Sequence, residues 1–198
     1  MGSKERIQRL KDETRINILE ASLEIVKEEG WQALSMRKIA DKIEYTAPMI
    51  YEYFANKEAI LLELSRRGNM LLLRRMREAK ESRTKPEKQL EAMWLAYWDF
   101  AFEEREFYQL MFGVGTTCCV LNKSKEGEEA FRMVCSVIRE VMEGQDPSDE
   151  EVCRKYYTFW SIIHGLISIN LVNRGVCDKD NQHILTEAIR GITLSLKS

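Results

Sequence analysis

Turn-forming residues are scarce in this chain, and that scarcity restricts the folds it can adopt. Ten glycines and three prolines are spread over 198 residues, whereas a β-sandwich or a β-barrel needs many tight turns. Apolar residues instead recur at the spacing of one helix face through most of the chain, as at Ile18, Ala21 and Ile25. The sequence therefore predicts an all-α fold, of about nine helices, that is large enough to bury a substantial core.

The composition excludes two broad classes of protein. Apolar residues make up 44% of the chain and charged residues 31%, a balance typical neither of disordered chains nor of membrane proteins. The longest stretch without Asp, Glu, Lys or Arg, residues 156–173, contains Ser161, His164 and Asn170 and is too polar to span a bilayer. Because no secretory signal or lipidation motif is recognised, we expect a soluble cytoplasmic protein with no membrane partner.

The five cysteines are odd in number and form no Cys-x-x-Cys pair. A chain of this size does not need disulfide bonds to fold, so we expect reduced thiols. Two interpretations of the adjacent Cys118 and Cys119 stay open. They form either a redox-sensing site, with Lys123 and Lys125 nearby to favour a thiolate, or two inert thiols.

Helix start and stop signals divide the first part of the chain. Gly30 ends a first long helix, and Lys85-Pro86 interrupts the pattern further on. Between them we expect three helices: residues 36–42 behind the N-cap Ser35, residues 46–54 opened by Thr46 with Pro48 in the first turn, and residues 57–82 capped by Asn56.

Aromatic residues become frequent after Pro86. The pattern predicts helices within 86–112, a loop at 113–124, and helices over 125–143, 148–173 (opened by a capping box of Ser148 and Glu151) and 181–196. The predicted domains are residues 1–56, with a helix-turn-helix at 35–54, and residues 57–198, which would bind an effector and dimerise.

The two short helices at 35–42 and 46–54 have the spacing of a helix-turn-helix. In that motif the first helix crosses the DNA backbone, and the second places its N-terminal residues in the major groove. Ile39 and Ile50 supply inward-facing side chains, while Thr46 and its neighbours project outward. On spacing alone, the alternative is an ordinary helical corner.

The residues around this motif resemble the DNA-binding domain of TetR-type bacterial transcriptional regulators. Within residues 14–58 the resemblance rests on these segments: Thr14-Arg15-x-x-Ile18-Leu19-x-Ala21, Gly30-Trp31, Ser35-Met36-Arg37-x-Ile39-Ala40, Ile50-Tyr51-x-Tyr53-Phe54 and Lys57-Glu58. It implies a helical homodimer, a variable C-terminal body that binds a small effector, and repression that the effector relieves. It also implies a bacterial protein found in the cytoplasm on the nucleoid.

The resemblance also assigns residues to DNA. A phosphate contact by Lys57 agrees with electrostatics, because a helix N-terminus and an ammonium group both attract an anion. The turn departs from the family, since Ile43-Glu44-Tyr45 replaces the usual Ala-Gly-Val; a positive φ at Glu44 would cost about 1 kcal/mol relative to glycine. The implied DNA-contacting residues are Thr14, Ser35, Arg37, Tyr45, Thr46, Ala47, Pro48, Met49, Tyr51, Tyr53 and Lys57.

A second resemblance concerns the C-terminal half. Trp160-Ser-Ile-Ile-His164-Gly165, with Phe107-Tyr108-x-Leu110-Met111-Phe112 upstream, is similar to the WHG-type domain of some TetR-type regulators. Aromatic and methionine side chains here suggest a cavity for a mostly apolar effector with one hydrogen-bonding group; the alternative is plain core. The candidate ligand-binding residues are Trp94, Trp98, Tyr108, Met111, Phe112, Trp160 and His164.

Two further features each have two interpretations. The stripe formed by Trp160, Ile163, Ile167 and Leu171, together with the last helix, predicts a homodimer interface; the alternative is burial within one subunit. The basic run at 66–85 either reaches flanking phosphates or is a solvated helix face.

No enzyme motif is recognised, so we expect no catalytic residue, metal or cofactor, and His164 is interpreted as a core or pocket histidine. The function predicted is that of a transcriptional regulator which a small effector releases from a palindromic operator. The alternative is a helical small-molecule-binding adaptor without specific DNA binding, and an activator would share the same fold.

Overall fold

The computed structural model describes residues 2–113, 124–172, 175 and 177–197, and within these ranges the fold is helical, with no strand. The helices are α1 (Ser3–Glu29), a 3-10 turn (Trp31–Ala33), α2 (Met36–Lys42), α3 (Ala47–Tyr51), α4 (Lys57–Glu81), α5 (Pro86–Glu103), α6 (Arg105–Phe112), α7 (Lys125–Val141), α8 (Asp149–Leu171) and α9 (Asp178–Ser195). The predicted all-α class is confirmed.

The chain divides into two compact units, residues 1–67 and 68–198, and α4 runs through the boundary. The sequence placed its domain boundary earlier, before Lys57, where α4 begins. That boundary stays a prediction.

In the N-terminal unit, the C-terminal half of α1 packs with the two short helices. Ile18, Ile39 and Ile50, one from each of these three helices, are fully buried. Gly30 ends α1 with a φ of 83°, and the Ser35 hydroxyl accepts a hydrogen bond from the Lys38 amide at 3.3 Å. Both end signals therefore act as the sequence predicts.

Helix α3 ends at Tyr51, earlier than the predicted 54. The amides of Glu52 and Tyr53 donate to carbonyl oxygens three residues back, those of Met49 and Ile50. The Phe54 amide donates four residues back to the same Ile50 carbonyl oxygen, so the last turn mixes 3-10 and α-helical bonds. Phe54 nevertheless turns inward and is buried.

The C-terminal unit has a core formed by α5, α7, α8 and α9. Phe100, Phe159 and Ile163 are fully buried, and Trp94 is 1% exposed. Ser124 and Ser148 cap α7 and α8 by accepting from the amides of Gly127 and Glu151. Helix α9 begins at Asp178, before the predicted start, and the buried Asn181 of its first turn pairs with Asn170 of α8.

Three of the cysteines that we predict to be reduced are free thiols: Cys135, Cys153 and Cys177. Burial raises the pKa of the Cys135 thiol to about 11, so this group stays protonated and unreactive at neutral pH. Cys118, Cys119 and Lys123, and with them the proposed redox site, lie outside the described residues.

Candidate functional site

A tight turn joins α2 to α3. The Tyr45 amide donates to the Ala40 carbonyl oxygen at 2.9 Å and closes the turn. Glu44, which replaces the glycine of the family pattern, adopts a φ of 59°. This lies in the left-handed region of backbone conformation. The turn thus forms without glycine, at a cost in backbone strain.

An exposed surface surrounds the N-terminus of α3. Tyr51 is 53% exposed, Tyr45 38% and Met49 36%, while Ile50 on the opposite side of the helix is buried. Of the predicted DNA-contacting residues, the structure leaves these exposed: Ser35, Arg37, Tyr45, Thr46, Pro48, Met49 and Tyr51. Their arrangement can present hydroxyls, a methionine and a guanidinium to a groove of DNA.

The other predicted contacts are half-buried: Thr14, Ala47, Tyr53 and Lys57. The Thr14 hydroxyl donates to the Leu10 carbonyl oxygen at 2.9 Å. The Lys57 ammonium donates to the Trp31 carbonyl oxygen at 3.3 Å. An ammonium has three donors, so this bond orients Lys57 and leaves hydrogens for a phosphate.

The cations of α2 differ in how they are neutralised. Lys38 lies 2.5 Å from Glu29, and hydrogen bonds with Glu28 and Glu24 raise the pKa of Lys42. Arg37, by contrast, keeps 88% of its side chain exposed and approaches Asp41 only to 4.0 Å. Arg37 is therefore the cation of α2 best able to meet a phosphate.

Sequence reasoning gave no role to Arg15 beyond the family motif. Its guanidinium donates to the Tyr53 carbonyl oxygen, lies over the Phe54 ring at 4.2 Å, and approaches Glu63 of α4 to 3.9 Å. A hydrogen bond from Arg66 lowers the pKa of Glu63, which stays ionised at neutral pH. Arg15 thus connects α1, the residues after α3 and the start of α4.

A cavity of about 690 Å³ lies in the C-terminal unit. This is the size that drug-like ligands occupy. Aromatic rings from four helices line it, and α4 contributes one side. The described lining residues are Asn69, Leu72, Met76, Trp94, Tyr97, Phe112, Ser124, Gly127, Glu128, Ala130, Phe131, Val134, Tyr156, Tyr157 and Trp160.

Three of the predicted ligand-binding residues line this cavity: Trp94, Phe112 and Trp160. Trp98, Tyr108, Met111 and His164 are not among its described lining. Trp98 packs against Phe102 at a ring distance of 4.7 Å, and Met111 lies beside Gly68 of α4, where an added Cβ would be 2.6 Å from its sulfur.

Tyr108 and His164 lie behind the cavity wall. The Tyr97 hydroxyl, on the wall, donates to the Tyr108 hydroxyl at 3.2 Å, and Tyr108 in turn bonds His164 Nδ1 at 2.5 Å. The His164 ring stacks on Trp160 at 4.7 Å. Burial raises the pKa values of both tyrosines and lowers that of His164. The chain of groups is therefore neutral near pH 7.

The cavity contains residues that sequence reasoning missed. Phe131, Tyr156 and Tyr157 are partly exposed rings, and Asn69 comes from α4. Tyr156 and Tyr157 precede Trp160 by one helical turn, a spacing that places them on adjoining faces of α8. That spacing was the signal available in the sequence.

The stripe predicted as a dimer interface is in part wrong. Ile163 and Ile167 are fully buried inside the C-terminal unit, where they belong to its hydrophobic core. The apolar side chains that α8 exposes are Ile162 at 45% and Ile169 at 48%. On α9, Ile184 and Leu194 are likewise exposed.

No α-helix in the described part of the chain combines the length and apolarity that crossing a bilayer needs. The described residues also contain no cluster of three or more His, Cys, Asp or Glu side chains that could hold a metal ion.

Family sequence models match both halves of the chain. The model described as "Bacterial regulatory proteins, tetR family" matches residues 18–64. The model described as "Tetracyclin repressor-like, C-terminal domain" matches residues 90–192, which is more than half of the chain.

Individual proteins are similar as well. The HTH-type transcriptional activator FasR of Mycolicibacterium smegmatis is 30% identical over 112 residues, which is 56% of this chain but only about half (51%) of that relative. A structure from Rhodococcus sp. RHA1, of unknown function, has a TM-score of 0.78 at 18% identity and covers 93% of this chain and 95% of its own. Thermus thermophilus FadR, a TetR-family repressor solved with lauroyl-CoA, has a TM-score of 0.62 at 17% identity, with 92% of each chain covered. The two structures show a shared fold.

Proposed function

The chain belongs to the TetR family of bacterial regulatory proteins, and from that membership we propose that it is a transcriptional repressor which a small effector releases from operator DNA. The observation that carries this proposal is the position of α4. Its residues Leu72 and Met76 line the cavity, while the same helix begins at Lys57, one of the predicted DNA contacts. A ligand in the cavity therefore touches the helix that leads to the DNA-binding unit.

Operator binding is proposed through the exposed surface at the N-terminus of α3. The residues there offer hydroxyls at Thr46 and Tyr51 and apolar contact at Met49. Arg37 and Lys57 would contact phosphates and set the orientation, and they would make binding depend on salt. The half-buried Thr14 and Tyr53 contribute from the edges of this surface.

A homodimer through α8 and α9 is proposed to place two such surfaces on one operator. Besides the exposed Ile162, Ile169 and Leu194, each helix carries a glycine, Gly165 and Gly191, with open space around the position of an added Cβ. Small residues of this kind let a second copy approach closely. A two-fold dimer would read half-sites about 34–36 Å apart in a palindromic operator.

Release is proposed to follow from a shift of α4. Gly68 packs against Met111 of α6 so closely that no side chain fits between them without movement. A ligand that displaces Phe112 or Met76 would move α4 with them. Such a ligand lowers operator affinity only to the extent that it prefers the shifted state.

Family membership does not decide between repression and activation, because the two named regulators differ: FasR is an activator and Thermus FadR a repressor. In vitro transcription from the operator, with and without the protein, separates the two. We also propose that the protein acts in the cytoplasm on the nucleoid and catalyses no reaction, and that residues 1–56 and 57–198 are its functional domains.

Fluorescence anisotropy with DNA from upstream of the protein's own gene tests operator binding. We expect preference over unrelated DNA, a steep salt dependence, and a smaller salt slope for Lys57→Ala. Lys125→Ala, an exposed lysine of α7, is the matched control and should leave the slope unchanged. Circular dichroism checks that Lys57→Ala still folds, because its bond to Trp31 is lost.

The alternative function is a small-molecule-binding adaptor without specific DNA binding. Equal, weak binding to all DNA, including a pool from genome-wide site selection, would favour it and contradict the proposal.

A further inference from the structure

We infer that the effector is an uncharged, largely apolar molecule that carries a hydrogen-bond acceptor, and that the indole N–H of Trp94 donates to this acceptor. The inference deepens the proposed function and rests on it, since it names the ligand class of the same cavity and the residue that selects it.

The unsatisfied donor is the first observation. Trp94 is 1% exposed and borders the cavity, and its Nε1 makes no hydrogen bond within the protein. Its ring is held in place by Phe159, which stacks on it at 5.6 Å with an angle of 14° between the planes. A buried donor left without an acceptor is costly. Nε1 is covered while the cavity is empty, so a ligand supplies the missing acceptor only by displacing the side chains that cover this atom.

Two other polar groups of the wall are already engaged within the protein. The Ser124 hydroxyl accepts from the Gly127 amide at 2.9 Å, and the Tyr97 hydroxyl donates to Tyr108. These two hydroxyls are used within the protein, whereas the Trp94 N–H makes no hydrogen bond there. A ligand acceptor placed against Trp94 would therefore meet an unused donor.

The charged residues of the cavity lining narrow the class of ligand further. Among the described lining residues there is no Lys, Arg or His, so an anion would find no counter-charge there. Glu128 is the one charged residue of that lining, and Arg132 neutralises it in an exposed pair. A cation would gain little from a carboxylate that is solvated and already paired. An uncharged ligand avoids both penalties.

The wall also favours a flat, apolar body. Phe112, Phe131, Tyr156 and Trp160 present rings from three helices. Rings of this kind contribute large apolar area and prefer stacked or edge-on contact with another ring. A bicyclic ketone combines a flat body, no charge and one strong acceptor.

Isothermal titration calorimetry with two matched ligands tests the inference. The ketone 1-tetralone and the hydrocarbon tetralin have the same ring skeleton and differ in the carbonyl oxygen. Each is titrated into the full-length wild-type protein and into Trp94→Phe, which keeps an aromatic ring but removes the N–H. We expect the ratio of the ketone's affinity to the hydrocarbon's to fall about tenfold in Trp94→Phe.

Trp98→Phe is the control, because Trp98 is buried but absent from the described lining. In this variant the ratio of the ketone's affinity to the hydrocarbon's should equal that of the wild type. A ¹⁵N correlation spectrum gives a second readout. The indole resonance that disappears in Trp94→Phe should shift with 1-tetralone and hardly move with tetralin.

An unchanged ratio in Trp94→Phe overturns the inference, as does tighter binding of 2-naphthoate or 2-naphthylmethylammonium than of 1-tetralone. DNA release is measured separately by anisotropy. A ketone preference that depends on Trp94 but leaves operator affinity unchanged would sink the proposed release mechanism and leave the ligand class standing.

Discussion

Arg15 of α1 donates from Nη1 to the main-chain carbonyl oxygen of Tyr53 at 3.1 Å, and so ties the first helix to the residues that follow α3. The same guanidinium lies over Phe54 and approaches Glu63 at the start of α4. One side chain thus sets the position of the C-terminal end of α3 relative to both flanking helices within the N-terminal unit.

Replacing Arg15 by alanine should destabilise the N-terminal unit and weaken operator binding together. The loss of a hydrogen bond and a cation–π contact predicts a decrease in the free energy of unfolding of about 1–2 kcal/mol. Urea denaturation followed by circular dichroism measures it. Arg9→Ala removes an exposed arginine of the same helix, paired with Glu13, and should change little. Equal stability of the two variants would show that Arg15 does not brace α3.

Replacing Glu44 by glycine should stabilise the protein. Glu44 has a φ of 59°, a conformation that strains a residue with a Cβ, and relief of that strain exceeds the extra entropy glycine gains in the unfolded chain. We expect the free energy of unfolding to rise by up to about 1 kcal/mol. Removal of a negative charge beside α3 should also strengthen DNA binding.

Glu52→Gly is the matched control for this substitution. Glu52 is another exposed glutamate beside α3, but its φ is −67°, so glycine relieves no strain there and should lower stability. If both variants are destabilised, the turn is not strained in solution.

The sequence was informative where a single residue sets a local boundary. Gly30 predicted the end of α1 and Ser35 the start of α2, because glycine tolerates a positive φ and the serine hydroxyl caps the helix amide directly. Periodicity also predicted that Ile163 and Ile167 share a face of α8. It could not tell what covers that face, because core and dimer contacts demand the same apolar residues.

The cavity was harder to predict for a related reason. Aromatic density identified the correct region, and Trp94, Phe112 and Trp160 do line the cavity. Yet Trp98 packs against Phe102 away from the described lining, while Tyr157 borders the cavity. A cavity is defined by where atoms are absent, and that depends on how α4, α5, α7 and α8 cross rather than on any one of them.

His164 should make stability depend on pH in the weakly acidic range. Burial lowers its pKa in the folded protein below the usual 6.5, so between these two values the unfolded chain binds a proton that the folded protein does not. Stability from this group is therefore full above pH 6.5 and falls as the pH drops toward the folded-state pKa. Its bond to the neutral Tyr108 hydroxyl adds no charge that would oppose this trend.

Urea midpoints at pH 7.5 and pH 5.5 measure this effect. The difference between the two midpoints should be smaller in His164→Gln than in the wild type. His183→Gln removes the chain's other histidine, which is exposed on α9, and should keep the wild-type difference. The idea fails if His164→Gln retains the full difference.

The proposed dimer interface predicts that Ile162→Glu and Leu194→Glu separate the subunits. These side chains are 45% and 71% exposed in the single chain, so a glutamate at either position should not disturb the fold of one subunit. In an apolar interface it would bury a charge, and we expect the dimer dissociation constant to rise about 100-fold or more. Sedimentation velocity measures the association, and circular dichroism the fold.

Ile7→Glu serves as the control, because Ile7 is 53% exposed on α1, in the other unit. It should leave the association state unchanged. Operator affinity should fall in the two interface variants, since one subunit can occupy only one half-site. A dimer that persists in both variants would place the interface elsewhere on the chain, and the spacing predicted for the operator half-sites would then lose its basis.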